Sequence, residues 1–206
     1  MLIANQKIIT CDDILLSLCD SVCDVLTAAT SDKVSYTPMI QKINNTTLRP
    51  DIGTFVLFTG TFSGMVVLNF PKATAMELYR SYMHLMGLQE NDLATNYTSE
   101  EVSNTLGELM NQMVGNFTSK ISSELNGRIH QSQPKMLSLP HQVEISINMT
   151  LDHPEVSRIT FFTAQSNVFY LELAMDHTEF KLARDVEAKE KKAMTPEEIM
   201  AEAGLV

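Results

Sequence analysis

One side of a predicted helix in the middle of the chain carries polar residues and a glycine. They are Asn104, Glu108, Asn111 and Gly115, with Glu101 and Gln112 beside them. An α-helix turns by about 100° per residue, so the spacing of four, three and four residues places the first four on one stripe. Carboxamides donate and accept hydrogen bonds and a carboxylate accepts them, which suits this stripe to contact with another molecule.

Two interpretations of the stripe are open. It is either the solvated side of an amphipathic helix or a face shaped for a partner. A solvated face is usually built from good helix formers, whereas Asn104, Asn111 and Gly115 each cost a few tenths to about 1 kcal/mol relative to Ala. Gly115 also lets another molecule come close to the backbone. These costs favour a face shaped for a partner.

The helix that carries the stripe has its own boundary signals. Thr98-Ser99-Glu100-Glu101 is a capping-box pattern with Thr98 at the cap, and the helix is predicted to run to about Leu125, before Gly127. Its opposite side is apolar and is predicted to face the core. The apolar residues are Val102, Leu106, Leu109, Met110, Met113 and Phe117.

The other predicted elements give an α+β fold. In chain order they are helix 10–29, strands 54–59 and 65–70, helices 75–86 and 98–125, and strands 143–149, 156–163 and 168–175. The two closely spaced strand pairs read as hairpins, and the second helix is closed by Gly87. We therefore expect helices packed on one face of a largely antiparallel sheet.

Composition and charge exclude several classes of function. The 206 residues are 44% apolar and 19% charged, which indicates a folded chain, and the net charge of −10 disfavours nucleic acid. No apolar run reaches the ~18 residues of a membrane span, and the start lacks a signal-peptide pattern. Cys11, Cys19 and Cys23 are odd in number and clustered, which favours a reducing, cytoplasmic location.

No metal-ligand or nucleophile motif stands out. The five histidines are scattered, and Cys19 and Cys23 lack a second pair at zinc-ligand spacing, so small core residues are the favoured interpretation of the cysteines. No Gly-x-Ser-x-Gly elbow or phosphate-binding glycine loop is present. We expect this chain to hold no metal or cofactor.

The end of the chain differs in composition from the rest. Residues 179–192 are crowded with both signs of charge, and Thr195-Pro196-Glu197-Glu198 is typical of a helix start. The sequence therefore predicts a domain over residues 1–176 and a charged helical tail over residues 177–206.

Three segments resemble the CheX/CheC/FliY chemotaxis phosphatases, and CheX most of all. Residues 106–116 resemble the Glu-x-x-Asn helix of that family, residues 64–71 resemble the hairpin strand before it, and Ser138-Leu139-Pro140 is a weaker match. The resemblance covers residues 10–175 in the same element order. It implies the α+β fold of CheC and CheX.

The resemblance also implies an activity, namely hydrolysis of the aspartyl phosphate on a CheY-type response-regulator receiver domain. Glu108 would pair with the active-site lysine of the receiver, and Asn111 would hold the attacking water. Asn104, Gln112 and Gly115 would help to dock the receiver. Mg²⁺ would be held by the receiver, and a homodimer with one site per chain is implied, as in CheX.

One position departs from the family pattern. Asn104 lies four residues before the Glu, where the family has Asp or Ser, and Ser103 is one place away. Asn carries neither a charge nor a hydroxyl. This departure favours the alternative function, a non-catalytic adaptor of the same fold that binds a receiver domain without hydrolysing its phosphate.

Overall fold

The computed structural model describes residues 8–178 and 180–181. Its helices are α1 (Cys11–Thr30), α2 (Lys72–Leu85) and α3 (Glu100–Leu125), and a short 3₁₀ turn spans Glu90–Asp92. The strands are β1 (Ile8–Ile9), β2 (Ser35–Tyr36), β3 (Gln41–Lys42), β4 (Thr46–Leu48), β5 (Ile52–Gly60), β6 (Gly64–Phe70), β7 (Ile129–Gln131), β8 (Lys135–Ser138), β9 (Ile145–Ile147), β10 (Pro154–Phe162), β11 (Val168–Asp176) and β12 (Phe180–Lys181).

The described strands build one large antiparallel sheet and two small pairs. The order in the large sheet is β2-β10-β11-β6-β5-β7, with β3 also paired to β10 and β8 to β5. The small pairs are β1 with β12 and β4 with β9. The predicted hairpins are confirmed as β5–β6 and β10–β11. The fold is α+β, as the sequence predicts.

The main core lies between the three helices and one face of the large sheet. Alternate residues of the central strands point into it, since side chains alternate along a strand. Ile159 and Phe161 of β10 meet Phe169 and Leu171 of β11, and the rings of Phe161 and Phe169 stack with centroids 4.8 Å apart. Phe117 of α3 meets Phe58 of β5 with ring centroids 6.3 Å apart, which packs α3 against this sheet.

The opposite face of the large sheet is partly covered by the β4–β9 pair. Leu48, Met65, Val67 and Leu139 form a second small core there. The sequence predicts one half-exposed strand over 143–149, but β9 is limited to Ile145–Ile147 and pairs with β4 instead of joining the large sheet. The short β4 lies in a segment that the sequence pattern marks as turn-rich.

The ends of α3 differ slightly from their prediction. The N-cap is Ser99, whose Oγ accepts a hydrogen bond of 3.3 Å from the Val102 N–H, so the prediction of Thr98 at this position is wrong by one residue. The helix ends at Leu125 as predicted, and Asn126 adopts the left-handed conformation with φ of 48°. Both hydroxyl residues are suitable caps, and the backbone geometry selects the second.

Most of the predicted tail lies outside the described residues. The part that is described continues the fold, because Phe180 and Lys181 pair with Ile9 and Ile8. The division into residues 1–176 and 177–206 stays a prediction. In the part of the chain that is described, no helix is both long and apolar enough to cross a bilayer.

Candidate functional site

The polar stripe of α3 faces outward, as its spacing predicts. Asn104, Glu108 and Gln112 are exposed, and Asn111 and Gly115 are half-buried. The predicted core side of the helix is fully buried. Its residues are Val102, Leu106, Leu109, Met110, Met113 and Phe117.

A shallow groove of about 340 Å³ runs beside this stripe. It is lined by Ser103, Asn104, Gly107, Glu108 and Asn111 of α3 and by Gln133, Pro134 and Met136. The second wall comes from β8 and the turn before it, a segment for which the sequence pattern predicts no helix or strand. The structure therefore brings Asn104, Glu108 and Asn111 together and adds a wall that no sequence signal marks.

A glycine lets the second wall approach the helix. A Cβ placed on Gly107 would lie 3.3 Å from the sulfur of Met136, which is closer than nearly all Cβ contacts. β8 is held in turn by antiparallel pairing to β5, with Met136 opposite Thr54. Helix, glycine and strand register together set the width of the groove.

Glu108 has a partner on its own helix. The Gln112 Nε2 donates a hydrogen bond of 3.0 Å to the Glu108 Oε1. This contact holds one carboxylate oxygen toward the next turn and leaves the other available. A carboxylate oriented in this way can accept a hydrogen bond from a cation that arrives from outside.

The Asn111 side chain lines the groove without an internal partner. Among the described residues, none forms a hydrogen bond with its carboxamide. A half-buried carboxamide has two donors and an acceptor to offer. Asn111 can therefore bind a water or a partner without first breaking a hydrogen bond to a described residue.

Gly115 lies further along the same stripe, beyond the lining of the groove. A Cβ at this position would meet nothing within 4 Å in the described structure. Internal packing therefore does not require glycine here. The open space supports the interpretation that an external molecule approaches this turn.

Asn104 occupies the position where the resembled family has Asp or Ser. It is exposed at the groove, and Ser103 also lines the groove, half-buried, with its Oγ 4.0 Å from the Met136 sulfur. A hydroxyl is thus present one residue earlier than in the family pattern. Sequence spacing does not place Ser103 on the stripe, because the groove is wider than the stripe itself.

A larger depression of about 440 Å³ lies beside α2, but the Glu77 carboxylate in its lining already has hydrogen-bond partners within the fold. The buried Glu77 carboxylate accepts hydrogen bonds from Thr163 Oγ1, the Gln165 N–H and Asn167 Nδ2. These contacts tie α2 to the β10–β11 turn. They give Glu77 a structural role, in contrast to the unpartnered Asn111.

Solved structures of similar fold come from chemotaxis proteins. The chemotaxis protein CheX from Desulfovibrio desulfuricans matches with a TM-score of 0.65 and 16% identity, over 80% of this chain and 99% of that one. A CheC-like protein from Shewanella sp. PV-4 gives 0.64 and 15%, over 80% and 97%. A chain of the CheX–CheY–BeF₃–Mg²⁺ complex from Borrelia burgdorferi gives 0.55 and 13%, over 80% and 99%.

At these identities the likeness establishes the fold, and it confirms that the chain is CheX-like in architecture. Comparison with curated proteins finds no significant match. One family model, described as a protein of unknown function (DUF3334), matches residues 5–205, which is nearly the whole chain. The chain therefore belongs to the DUF3334 family, and its fold is that of CheX and the CheC-like proteins.

Proposed function

We propose that this protein hydrolyses the aspartyl phosphate of a phosphorylated CheY-type receiver domain. The observation that carries the proposal is the α3 groove, where Glu108 and the unpartnered Asn111 lie one turn apart. This reaction does not require a strong base from the protein. An acyl phosphate is already activated and reacts through a loose transition state, so positioning a water matters more than a strong base.

In this proposal Glu108 fixes the docking position. Its carboxylate, oriented by Gln112, pairs with the active-site lysine of the receiver. Such a charge-assisted hydrogen bond is stronger than a neutral one and specifies a single register along the helix. Asn104 and Gly115 extend the contact toward either end of the stripe.

Asn111 then acts on the reaction itself. Its carboxamide oxygen accepts a hydrogen bond from a water and its amide donates toward a phosphoryl oxygen, which holds that water in line for attack. The receiver supplies Mg²⁺ from its own carboxylates, and this chain contributes no ligand to that ion. The water oxygen bonds to phosphorus as the bond from phosphorus to the aspartyl oxygen breaks, which gives inorganic phosphate and the free aspartate carboxylate of the receiver. The water proton passes to the phosphate.

A structural neighbour supports the class of partner. The Borrelia burgdorferi protein of this fold is seen with CheY, BeF₃ and Mg²⁺. A receiver domain is therefore a suitable first partner to test with this chain. The proposal keeps the cytoplasmic location expected from the sequence.

The test is to phosphorylate a receiver with acetyl phosphate, remove the donor, and follow loss of phosphate with and without this protein. We expect the wild type to shorten the phosphate lifetime and Asn111→Ala to lose about a hundredfold of that acceleration. Asn116→Ala, at an exposed position off the groove, is the matched control and should act like the wild type. A wild type that accelerates no receiver from its own genome contradicts the proposal.

The alternative is a receiver-binding adaptor without activity, and Asn104 is the observation that favours it. The adaptor and the enzyme give different results in binding and hydrolysis assays. The wild type would then bind a phosphorylated receiver, lose binding in Glu108→Ala, and leave the phosphate lifetime unchanged. Asn104→Asp and Asn104→Ser would restore hydrolysis if this position alone prevents it.

A homodimer is part of the proposal. Leu57 and Leu137 lie on the sheet face away from the helices and are 37% and 40% exposed. Sedimentation equilibrium of the full chain should give twice the monomer mass of 23.0 kDa. A monomer at all concentrations would contradict the homodimer but not the proposed hydrolysis, since the α3 groove is formed within one chain.

A further inference from the structure

Three side chains with metal-binding atoms meet at the start of α1, away from the α3 groove. The Cys11 Sγ, one Glu155 oxygen and one His177 ring nitrogen all lie within 4.8 Å of one another. Cys11 is the first residue of α1, Glu155 is the second residue of β10, and His177 follows β11. The fold brings them together from distant parts of the sequence.

We propose that Cys11, Glu155 and His177 bind a divalent transition-metal ion, with Zn²⁺ the ion that best suits them. Thiolate, imidazole and carboxylate are the three ligand types that Zn²⁺ takes in proteins, and three protein ligands leave a fourth position for water. A carboxylate-only ligand set would favour Mg²⁺ or Ca²⁺, but the sulfur and nitrogen here do not.

Two contacts hold the Glu155 carboxylate in the cluster. The Glu155 Oε1 is hydrogen-bonded to the His177 Nδ1, and its Oε2 accepts from the Lys42 Nζ at 3.2 Å. Lys42 is fixed in turn by Asp12 at 2.7 Å. The Lys42 contact is of the kind that orients metal ligands in known sites, and an ion entering the cluster would replace the hydrogen bond between Oε1 and Nδ1.

The Cys11 thiol makes contacts that a bound ion would replace. The Cys11 thiol donates to the Asp176 and Thr178 carbonyl oxygens, which lie 3.6 and 3.9 Å from its Sγ. Binding would replace the thiol proton by the metal and release one proton.

The charge balance of the bound state is favourable. One thiolate and one carboxylate neutralise a divalent ion, and the imidazole binds as a neutral ligand. The nearby Lys42 and Asp12 form their own ion pair. The half-buried site would therefore carry no net charge, which limits the cost of excluding water.

The position of the cluster in the fold indicates which elements a bound ion would connect. His177 is three residues before β12, β12 pairs with β1, and β1 leads directly to Cys11. The ion would therefore join the small β1–β12 pair to α1 and to the large sheet. Its role is separate from the α3 groove, so this inference stands or fails independently of the proposed function.

The test is titration of the metal-free full chain with Co²⁺, which reports a thiolate ligand by a charge-transfer absorption band. We expect one Co²⁺ per chain with that band, displacement by Zn²⁺, and a melting temperature that rises with metal concentration. Cys11→Ser should abolish the band, and His177→Gln should weaken binding at least about tenfold. The matched controls Cys23→Ser and His153→Gln should bind like the wild type.

Two results would overturn the inference. One is a wild type that shows no thiolate band at any Co²⁺ concentration. The other is a band that survives in Cys11→Ser but is lost in Cys23→Ser, which would move the site to the other cysteines. Because Cys11 is buried, circular dichroism must show that Cys11→Ser is folded; His177 is an exposed side chain and gives a second variant that does not disturb the core.

Discussion

The Gln112 amide donates a hydrogen bond of 3.0 Å to the Glu108 carboxylate one turn earlier on α3. This contact lies at the surface and has little value for stability, since pairs of this spacing on a helix contribute about 0.2–0.5 kcal/mol. The contact instead restricts the orientation of the Glu108 carboxylate, which we propose as the docking contact.

Glu108→Ala should weaken binding to a phosphorylated receiver at least about tenfold, because a charge-assisted hydrogen bond contributes about 1.5–3 kcal/mol. Gln112→Ala should weaken it by about twofold, because the carboxylate remains but is no longer oriented. Isothermal titration calorimetry measures both. Glu144→Ala removes the same charge at an exposed position outside the groove and should bind normally; equal losses in Glu108→Ala and Glu144→Ala would indicate a general charge effect.

Gly115→Ala should raise the free energy of unfolding by about 0.5–1 kcal/mol, since a Cβ there meets nothing within 4 Å and Ala is the better helix former. Gly115→Leu should also fold but should reduce receiver binding at least about tenfold by filling the space that the partner needs. Urea denaturation and binding measured together separate the two effects. Normal binding by Gly115→Leu would remove this turn from the docking surface.

Gly127→Ala is the contrasting control for that experiment and should be destabilising. A Cβ at this position would lie 2.1 Å from the Thr61 Oγ1. The Thr61 side chain or the backbone around it must then shift, which costs about 1–3 kcal/mol. The two glycine substitutions should therefore change the urea midpoint in opposite directions.

Arg158→Met should lower the free energy of unfolding by about 3 kcal/mol. The buried Glu172 carboxylate accepts hydrogen bonds from the Arg158 Nε at 2.9 Å and Nη2 at 2.7 Å, and its other oxygen accepts from the Thr47 N–H at 2.8 Å. Removal of Arg158 leaves a buried charge short of its main partner. Arg80→Met, which breaks an exposed ion pair with Glu90, should cost less than about 1 kcal/mol.

Cys23 should react slowly with iodoacetamide in the folded protein. Burial, followed by the nearby Asp20 and Asp24, raises the pKa of its thiol to about 12. The thiolate fraction at pH 8 is then about a thousandfold below that of a free cysteine. Labelling followed by peptide mass spectrometry should show fast reaction only after unfolding in urea.

The same raised pKa predicts how stability depends on pH. The thiol stays protonated in the folded state, while in the unfolded chain it ionises above its ordinary pKa of about 9. The unfolded state therefore loses a proton first, and stability should fall as pH rises above about 9. Urea midpoints at pH 7 and pH 10 measure this change, and Cys23→Ser should reduce it.

Long, periodic elements of this fold can be predicted from the sequence. The apolar spacing of α1 and α3 and the dense apolar runs of the two hairpins are local signals, and the structure confirms them within about three residues. α2 begins at Lys72, three residues before the first residue predicted, because the helix starts directly after Pro71. Pro fits that position, since its backbone angle suits the residue before a helix.

The short elements could not be predicted in the same way. β7 and β8 are three and four residues long, and most of their side chains are exposed or half-buried, so no alternation marks them. Their pairing to β5 depends on contacts between distant residues. For that reason sequence patterns predict neither the groove wall nor the meeting of Cys11 with Glu155 and His177.

α3 is anchored at both ends, which fixes the spacing of the residues that it presents to a partner. Ser99 caps one end, and the close approach of Gly127 to Thr61 fixes the other against the β5–β6 turn. The axial step from Glu108 to Asn111 is therefore a constant of about 4.5 Å. Under the proposed function, this fixed interval would select receivers whose lysine and phosphoryl group can reach Glu108 and Asn111 together.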